Sequence, residues 1–458
     1  MRFGNFHNIF VVALMAATLF FAAGAGNPAL AEDQAGSGAK MEKVDESDNS
    51  PLLVGAARID ITPSKSVIMG GYGVCAFSKA LCRWSKGVHD PIYATAIYFE
   101  KRDEAFVLIE ADLVGLVQTD IIKIQSLVSE RTHLLPTRVI VAATHTHSSP
   151  DTVGLWGSIL PPDSGRDEGY IEMIIAKAAV VAAQAKGSAR PARLFYAVGE
   201  QADLHRNTYD DKTSNFYIDH TITVLKAADK NGRVIATLTN WGCHPTTEGM
   251  KTRLISSDWV GAFYKDMAAH ESGVHMFVNG SIGAAIQPND NWKRKNLEGD
   301  GENFRWAGLL GTTLSAQVRE MMKEMEEARF DHMTVQYTEA SIPMMNGIYR
   351  FGSNLGLLNL PVPKVGEPLN FRIASMTMGP LRFGTMPGEI SPQIGDGIRK
   401  RMGGKAQILI GLGQDWFGYV LDREQYENEL YSYEKMLSPG PDFAEAIYGV
   451  YDEMTFPK

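Results

Sequence analysis

Val139-Ile140-Val141-Ala142-Ala143-Thr144-His145-Thr146-His147-Ser148-Ser149-Pro150-Asp151 is the stretch on which the reading of the chain turns. Its first five residues are apolar and partly β-branched, the composition of a fully buried strand, and the run then breaks into two threonines, two imidazoles and a Ser-Pro-Asp turn signal. Residues that carry chemistry therefore stand where a strand leaves the core. In extended backbone the side chains repeat every second residue, so the spacing predicts that His145 and His147 face one side while Thr144 and Thr146 face the other. Neutral imidazole is the commonest protein ligand for Zn²⁺, and ligands of open α/β sheets gather beyond the carboxyl ends of strands. A metal site is the first expectation; two loop histidines, one bonded to a backbone carbonyl, are the alternative.

The arrangement recurs. Ile235-Ala236-Thr237-Leu238-Thr239-Asn240-Trp241-Gly242-Cys243-His244-Pro245 again runs a β pattern into a histidine, and Pro245 stops the ladder. Leu381-Arg382-Phe383-Gly384-Thr385-Met386-Pro387-Gly388-Glu389 does the same with a carboxylate. A fourth run, 407–410, leads into Gly411-Leu412-Gly413-Gln414-Asp415-Trp416-Phe417-Gly418-Tyr419. Singly, each has a structural explanation: His244 as a bonded core histidine, Glu389 as a helix-start carboxylate, Tyr419 as a half-buried aromatic. Asp112 suits either orienting a ligand histidine or capping a loop, Asp258 reads as the N-cap of a helix over 259–268, and His89-Asp90 and His205 are substrate-side candidates.

The chain has 458 residues, 45% of them hydrophobic, enough for a sizeable core. Lys and Arg total 44 against 53 Asp and Glu, a formal charge of -9 without a basic run, which argues against nucleic acid as a partner. Strand-like runs at 92–99, 105–110, 138–143, 194–198, 221–227, 234–239, 275–278, 375–378 and 407–410 alternate with helical patterns at 119–127, 171–185 and 307–325. The expected fold is α/β: one large catalytic domain over 51–458, with mixed β-sheets, flanking helices and a metal site at the C-terminal ends of strands. Residues 342–370, rich in Gly, Pro, Leu and Asn, are expected to form long loops or a lid.

Arg2, the apolar run 9–23 and Ala29-Leu30-Ala31 fit a secretory signal peptide over 1–31, followed by a flexible polar leader over 32–50. The rival reading, a membrane anchor, needs an apolar run of about 20 residues, longer than this one. Export to the periplasm or medium would let Cys75 and Cys82 close a small disulfide loop, leaving Cys243 single, either a second metal ligand beside His244 or, as expected, a small buried residue at a strand end.

Taken in order, Ala143-Thr144-His145-Thr146-His147-Ser148, Asn240-Trp241-Gly242-Cys243-His244-Pro245, Ile255-Ser256-Ser257-Asp258, Met386-Pro387-Gly388-Glu389, and Gly418-Tyr419-Val420 with Arg423-Glu424-Gln425-Tyr426 and Tyr431 resemble the neutral/alkaline non-lysosomal ceramidases. The resemblance implies Zn²⁺ held by His145, His244, Glu389 and Tyr419, with Tyr426 the nearest rival for the last place. It makes His147 an acid or hydrogen-bond donor behind the ligands, Tyr431 a donor to the transition state, and Arg206 of Leu204-His205-Arg206-Asn207 an active-site arginine. The function implied is an exported zinc-dependent hydrolase that cleaves the amide of ceramide-like N-acylated substrates with metal-activated water. Its partners would be a small-molecule or lipid amide substrate, with room for peripheral membrane contact.

Two departures stand out. The family's Gly-Asp-x-Ser-Pro loop corresponds to Gly283-Ala284-Ala285-Ile286-Gln287-Pro288, with Ala285 and Gln287 in place of Asp and Ser, and Ser281 would align only if the loop shifted. The chain also stops soon after Tyr431, without the family's separate C-terminal β-sandwich, as a catalytic-domain-only relative would. The altered loop keeps open the same metal site acting on an ester, lactone, peptide or acylated sugar. Outside enzymes, the alternative is a non-catalytic, metal-retaining envelope binding module.

Overall fold

The computed structural model describes residues 50–73, 75, 78–210, 212, 216–297, 303–356, 358 and 362–456. The expected signal peptide 1–31, and all of the leader 32–50 except Ser50, lie outside the described residues.

The opening apolar run does form a strand, and it is buried at every position. It is the edge of a five-stranded sheet made of β1 (Leu53–Asp60), β2 (Tyr93–Lys101), β3 (Glu104–Ala111), β4 (Val139–Ala143) and β5 (Arg190–Pro191), in the order β4-β3-β2-β1-β5. A second five-stranded sheet has β6 (Arg193–Glu200), β7 (Thr221–Ala228), β8 (Val234–Trp241), β9 (Val274–Asn279) and β10 (Glu326–Ala328), in the order β9-β8-β7-β6-β10. A third, four-stranded sheet runs β11 (Met333–Pro343), β12 (Pro368–Met378), β13 (Leu381–Met386) and β14 (Ala406–Gly411) in chain order. Each sheet is antiparallel except for one parallel pair: β3 with β4, β8 with β9, β13 with β14.

Alternation along the strands gives each sheet two apolar faces. The inner faces meet in one core that includes Phe106, Ile140, Leu238, Met276, Phe383 and Ile408. Outer faces are covered by helices: α1 (Gln118–Thr132) and α2 (Glu168–Gly187) on the first sheet, and α3 (Trp259–His270) and α4 (Asn303–Met321) on the second. On the third lie α5 (Gly347–Asn354), α6 (Pro392–Met402) and α7 (Phe443–Glu453). Burying both faces explains why strands such as β8 read as near-continuous apolar runs. Among the described residues no helix is long and apolar enough to cross a membrane.

The α/β expectation holds, with mixed sheets and flanking helices. The stretch 342–370 differs from the loops expected there. Its two ends belong to β11 and β12, which pair from Met333↔Met378 to Pro343↔Pro368, and α5 lies between them. Pro343 and Pro368 lie at the ends of the two strands and Gly347 opens α5, so composition marked these boundaries and hid the elements.

Candidate metal centre

β4 ends at Ala143, after which Thr144 N–H donates to Ala111 O at 2.9 Å and His145 N–H to Leu113 O at 2.9 Å. His145 then takes φ 67°, in the left-handed region. The expected extended alternation therefore does not continue through the motif. The two imidazoles converge because the backbone turns at His145, with Nε2 of His145 and Nε2 of His147 3.2 Å apart.

His244 leaves the end of β8, and the turn after β13 delivers Glu389. Nδ1 of His145 lies 2.5 Å from Val114 O and Nδ1 of His244 2.6 Å from Ile286 O, contacts in which each ring nitrogen donates to a carbonyl. That fixes the tautomers and leaves both Nε2 lone pairs facing inward. Glu389 spans them, Oε1 at 3.4 Å from His145 Nε2 and Oε2 at 3.2 Å from His244 Nε2. Trp416 Nε1 donates to Glu389 Oε1 at 3.3 Å. The nitrogens of His145, His147 and His244 all lie within 4.8 Å of one another. Tyr419 joins through a two-stranded parallel ribbon, Glu389–Ile390 with Tyr419–Val420, in which Glu389 is in register with Tyr419. Registered residues project to the same face.

Electrostatically the site is a dry acid among bases. Burial would raise Glu389, but the imidazoles of His145 and then His244 beside it hold it well below the usual carboxylate range. Burial, then the neighbouring imidazoles, push His147 well below an ordinary histidine. Tyr419 is pushed well up by burial and then by the Glu389 charge, and Tyr433, although 39% exposed, shifts in the same direction beside Glu389, so both phenols stay protonated donors.

These residues fit a bound cation. Two tautomer-locked imidazoles and a carboxylate aim their lone pairs at one spot, and burying that carboxylate without a positive partner is costly. His147 Nδ1 is buried without a hydrogen-bond partner in the protein. The strand exits after β4, β8, β13 and β14 all deliver residues to this spot.

The other sequence candidates lie further out. Arg206 sits on a short ribbon, His205–Asn207 with Ile286–Pro288, paired to Asp210 at 2.7 Å and in register with Gln287. Tyr431 packs edge-on against Tyr209 at 5.1 Å beside Ala284 and Leu421. Among the described residues, neither is hydrogen-bonded to the His–Glu cluster. Tyr426 packs on the Tyr431 group, leaving Tyr419 as the tyrosine in register with Glu389. Ser281 Oγ faces Met386 Sδ and the α carbon of Gly395 in the core, so it does not stand in for the missing loop serine.

Asp112 caps a loop, accepting from Tyr93 N and Ser257 Oγ at 2.9 Å each. Asp258 is the N-cap of α3, accepting from Trp259 N at 2.7 Å. His205 is buried against Trp241, with Nδ1 2.7 Å from Gly242 O. Cys243 is a buried free thiol, whereas Cys75 and Cys82 form a disulfide.

Three contributors were not singled out from the sequence. Tyr72 lies edge-on to His147 at 4.8 Å, and Arg83, 5.1 Å from the centre of the Tyr72 ring, donates to His147 O at 2.7 Å. Tyr433 has its ring 6.0 Å from Tyr419. Arg83 follows Cys82 directly, so the disulfide is the signal that could have pointed to it; Tyr433 had none, two residues from the equally eligible Tyr431.

The geometry and the comparisons agree on lineage. The chain belongs to the neutral/alkaline non-lysosomal ceramidase family, whose N-terminal domain matches residues 52–290. It is 26% identical over 285 residues to the neutral ceramidase of Pseudomonas aeruginosa, a match covering 57% of this chain and 41% of that protein, so the chain spans less than half of that relative. The crystal structure of neutral ceramidase from Pseudomonas aeruginosa superimposes with a TM-score of 0.69 at 20% identity, over 90% of this chain and 76% of that one. A ceramidase complexed with C2 gives a TM-score of 0.72 at 20% identity, over 89% and 75%. At that identity the likeness to the solved structures is one of fold.

Proposed function

We propose that the protein is an exported, zinc-dependent amidohydrolase acting on ceramide-like N-acylated substrates. The observation that carries this is the convergence of His145, His147, His244 and Glu389, with the Nδ1 atoms of His145 and His244 committed to backbone carbonyls. Family membership and the name of the relatives, neutral ceramidase, support it. His145, His244, Glu389 and Tyr419 would hold the ion, which when bound activates water and polarises a carbonyl. The disulfide between Cys75 and Cys82 supports export over the expected signal peptide.

The chain's own groups supply the remaining chemistry. His147, neutral and oriented by Arg83 and Tyr72, would accept at Nδ1 the proton released by the attacking water and pass that proton to the leaving amine. The phenol of Tyr433 donates to the carbonyl oxygen as it gains charge, a role we assign to it in preference to Tyr431 because Tyr433 stands against Tyr419 and feels Glu389. Arg206, steadied by Asp210, orients the polar end of the substrate. A cavity of about 410 Å³, lined by Val117, Leu369 and Phe417 but also by Arg350, Asn370 and Asp415, offers mixed apolar and polar room for a substrate.

The second reading, a different amide or ester as substrate, is favoured by Gln287. It faces Arg206 across the ribbon, and its carbonyl accepts from the Thr246 hydroxyl, where the resemblance places a serine. The deciding experiment is elemental analysis of the purified protein, paired with fatty-acid release from ceramide before chelation, after it, and after zinc return. Stoichiometric zinc with chelator-sensitive release is expected. Zinc without release would move the reading to other amides and esters, and absence of metal would overturn it.

A further inference from the structure

We propose that Glu248 is a neutral carboxylic acid that acts as a positioning residue, its proton fastening the turn that carries His147 to the turn that ends in Asp258. The cluster around Ser256 is one proton short if both of its carboxyl groups are ionised. Ser256 Oγ lies 2.7 Å from Asp90 Oδ1 and 2.7 Å from Glu248 Oε1, and it already accepts from Asp258 N at 2.9 Å. A hydroxyl has one proton to give. It can donate to one of the two carboxyl groups, so the other must be the donor.

The surroundings say which. Asp90 is partly open to solvent, contacts His89 Nδ1 at 2.6 Å and accepts from Ser257 N at 2.8 Å, conditions that suit a carboxylate. Asp258 accepts from Thr247 Oγ1 at 2.6 Å, Trp259 N at 2.7 Å, Glu248 N at 3.1 Å and Thr247 N at 3.2 Å, so it too is the charged form. Glu248 is 1% exposed, between those two anions. Burial, followed by the Asp258 charge, pushes its pKa well up. The charged and titratable groups facing it are Asp90 with His89 behind it, Asp258, and on the far side Arg83 and Tyr72.

The position gives the proton a purpose. The Ser148 side chain, next to His147, bonds to Glu248. The same two turns are joined by Ser256 N to Ser148 O at 2.9 Å and Thr146 Oγ1 to Ser256 O at 3.0 Å. Ionising Glu248 would leave Ser256 with two anions and one proton, and the seam behind His147 would part.

The test uses Glu248→Gln in the full chain, since the amide reproduces the neutral acid's donor and acceptor. The first readout is the folding equilibrium by urea from about pH 5 to about pH 8, which needs no substrate. A folded-state pKa raised above the unfolded value of about 4.3 gives stability that is complete below that value and is lost as pH rises. Wild type should therefore lose about tenfold in folding equilibrium per pH unit relative to E248Q. A ratio constant with pH overturns the proposal, as does an E248Q chain that does not fold, or the same trend appearing in Asp90→Asn instead. The second readout rests on the hydrolase reading: the alkaline fall of kcat in wild type should be absent from E248Q, while Glu248→Ala loses at least tenfold in kcat with KM little changed. An alkaline limb kept in E248Q overturns positioning; absence of turnover in every variant would count against the hydrolase reading, and the urea result would still decide the proton.

Discussion

Replacing Trp416 with Phe asks whether the carboxylate between the histidines is held by its indole neighbour. Trp416 is 1% exposed, and its Nε1 is 3.3 Å from Glu389 Oε1. A hydrogen bond to a charged acceptor contributes roughly 1.5–3 kcal/mol, and one this long belongs at the low end, about 1.5 kcal/mol, which is close to tenfold in an equilibrium constant. Removing a partner that orients a metal ligand lowers metal affinity by about 10–100-fold, so the two estimates overlap near tenfold. The ring also packs against Gly115, Val153 and Trp156, and the volume lost with the pyrrole ring costs stability of roughly 1–3 kcal/mol. That packing loss falls on the metal-free and metal-loaded proteins alike and drops out of the affinity. Zinc competition against a fluorescent chelator, beside urea unfolding of the metal-free protein, separates the two. Unchanged zinc affinity in a destabilised W416F would show that the indole only fills space.

Gly71 has φ +98°, and a Cβ there would fall 2.4 Å from His147 Cγ, so Gly71→Ala should displace the imidazole and lower kcat about 100-fold while zinc stays bound; full turnover would remove His147 from the chemistry. Asp120 and Arg166 form an ion pair at 2.6 Å with side chains 1% and 2% exposed, so Asp120→Ala should cost about 3–5 kcal/mol by urea unfolding, and a loss below about 1 kcal/mol would mean that water reaches the arginine. Burial, against bonds from Trp416 N and Gln118 N, raises Asp415 to about 7. A raised acid stabilises below its unfolded pKa and loses that contribution as pH climbs to the folded value, so between about pH 4 and pH 8 wild type should lose on the order of 4 kcal/mol relative to Asp415→Asn. Denaturation curves at the two pH values check it; parallel curves would show an ordinary carboxylate.

Strand existence was legible where burial on both faces wrote an apolar run, as in Val139–Ala143 and Val234–Trp241. It was illegible where a strand alternates with solvent: Met333–Pro343 has exposed and half-buried residues along its outer half and ends in proline. Helix α6 escaped notice because Pro392, Gly395 and Gly397 depress its propensity, although Pro at its start is favourable and Gly395 is needed for close contact with Ser281. In the centre, residue types named the histidines and the glutamate, but their convergence depends on the left-handed turn at His145, which no spacing rule conveys. Tyr433, Trp416 and the Arg83 clamp belong to packing between distant segments. Only the fold assembles them.

That distance has a consequence for assembly. His244 and Glu389 are 145 residues apart in the chain, and His145 comes from a different sheet than either. No fragment that lacks any part of the stretch from His145 to Tyr419 contains the centre, so a nascent chain that has not passed Tyr419 could not load an ion there. Tight metal capture is then a certificate of completed folding: an ion chased through refolding should be taken up last, and its loss should be an early sign that any one of the sheets has come loose.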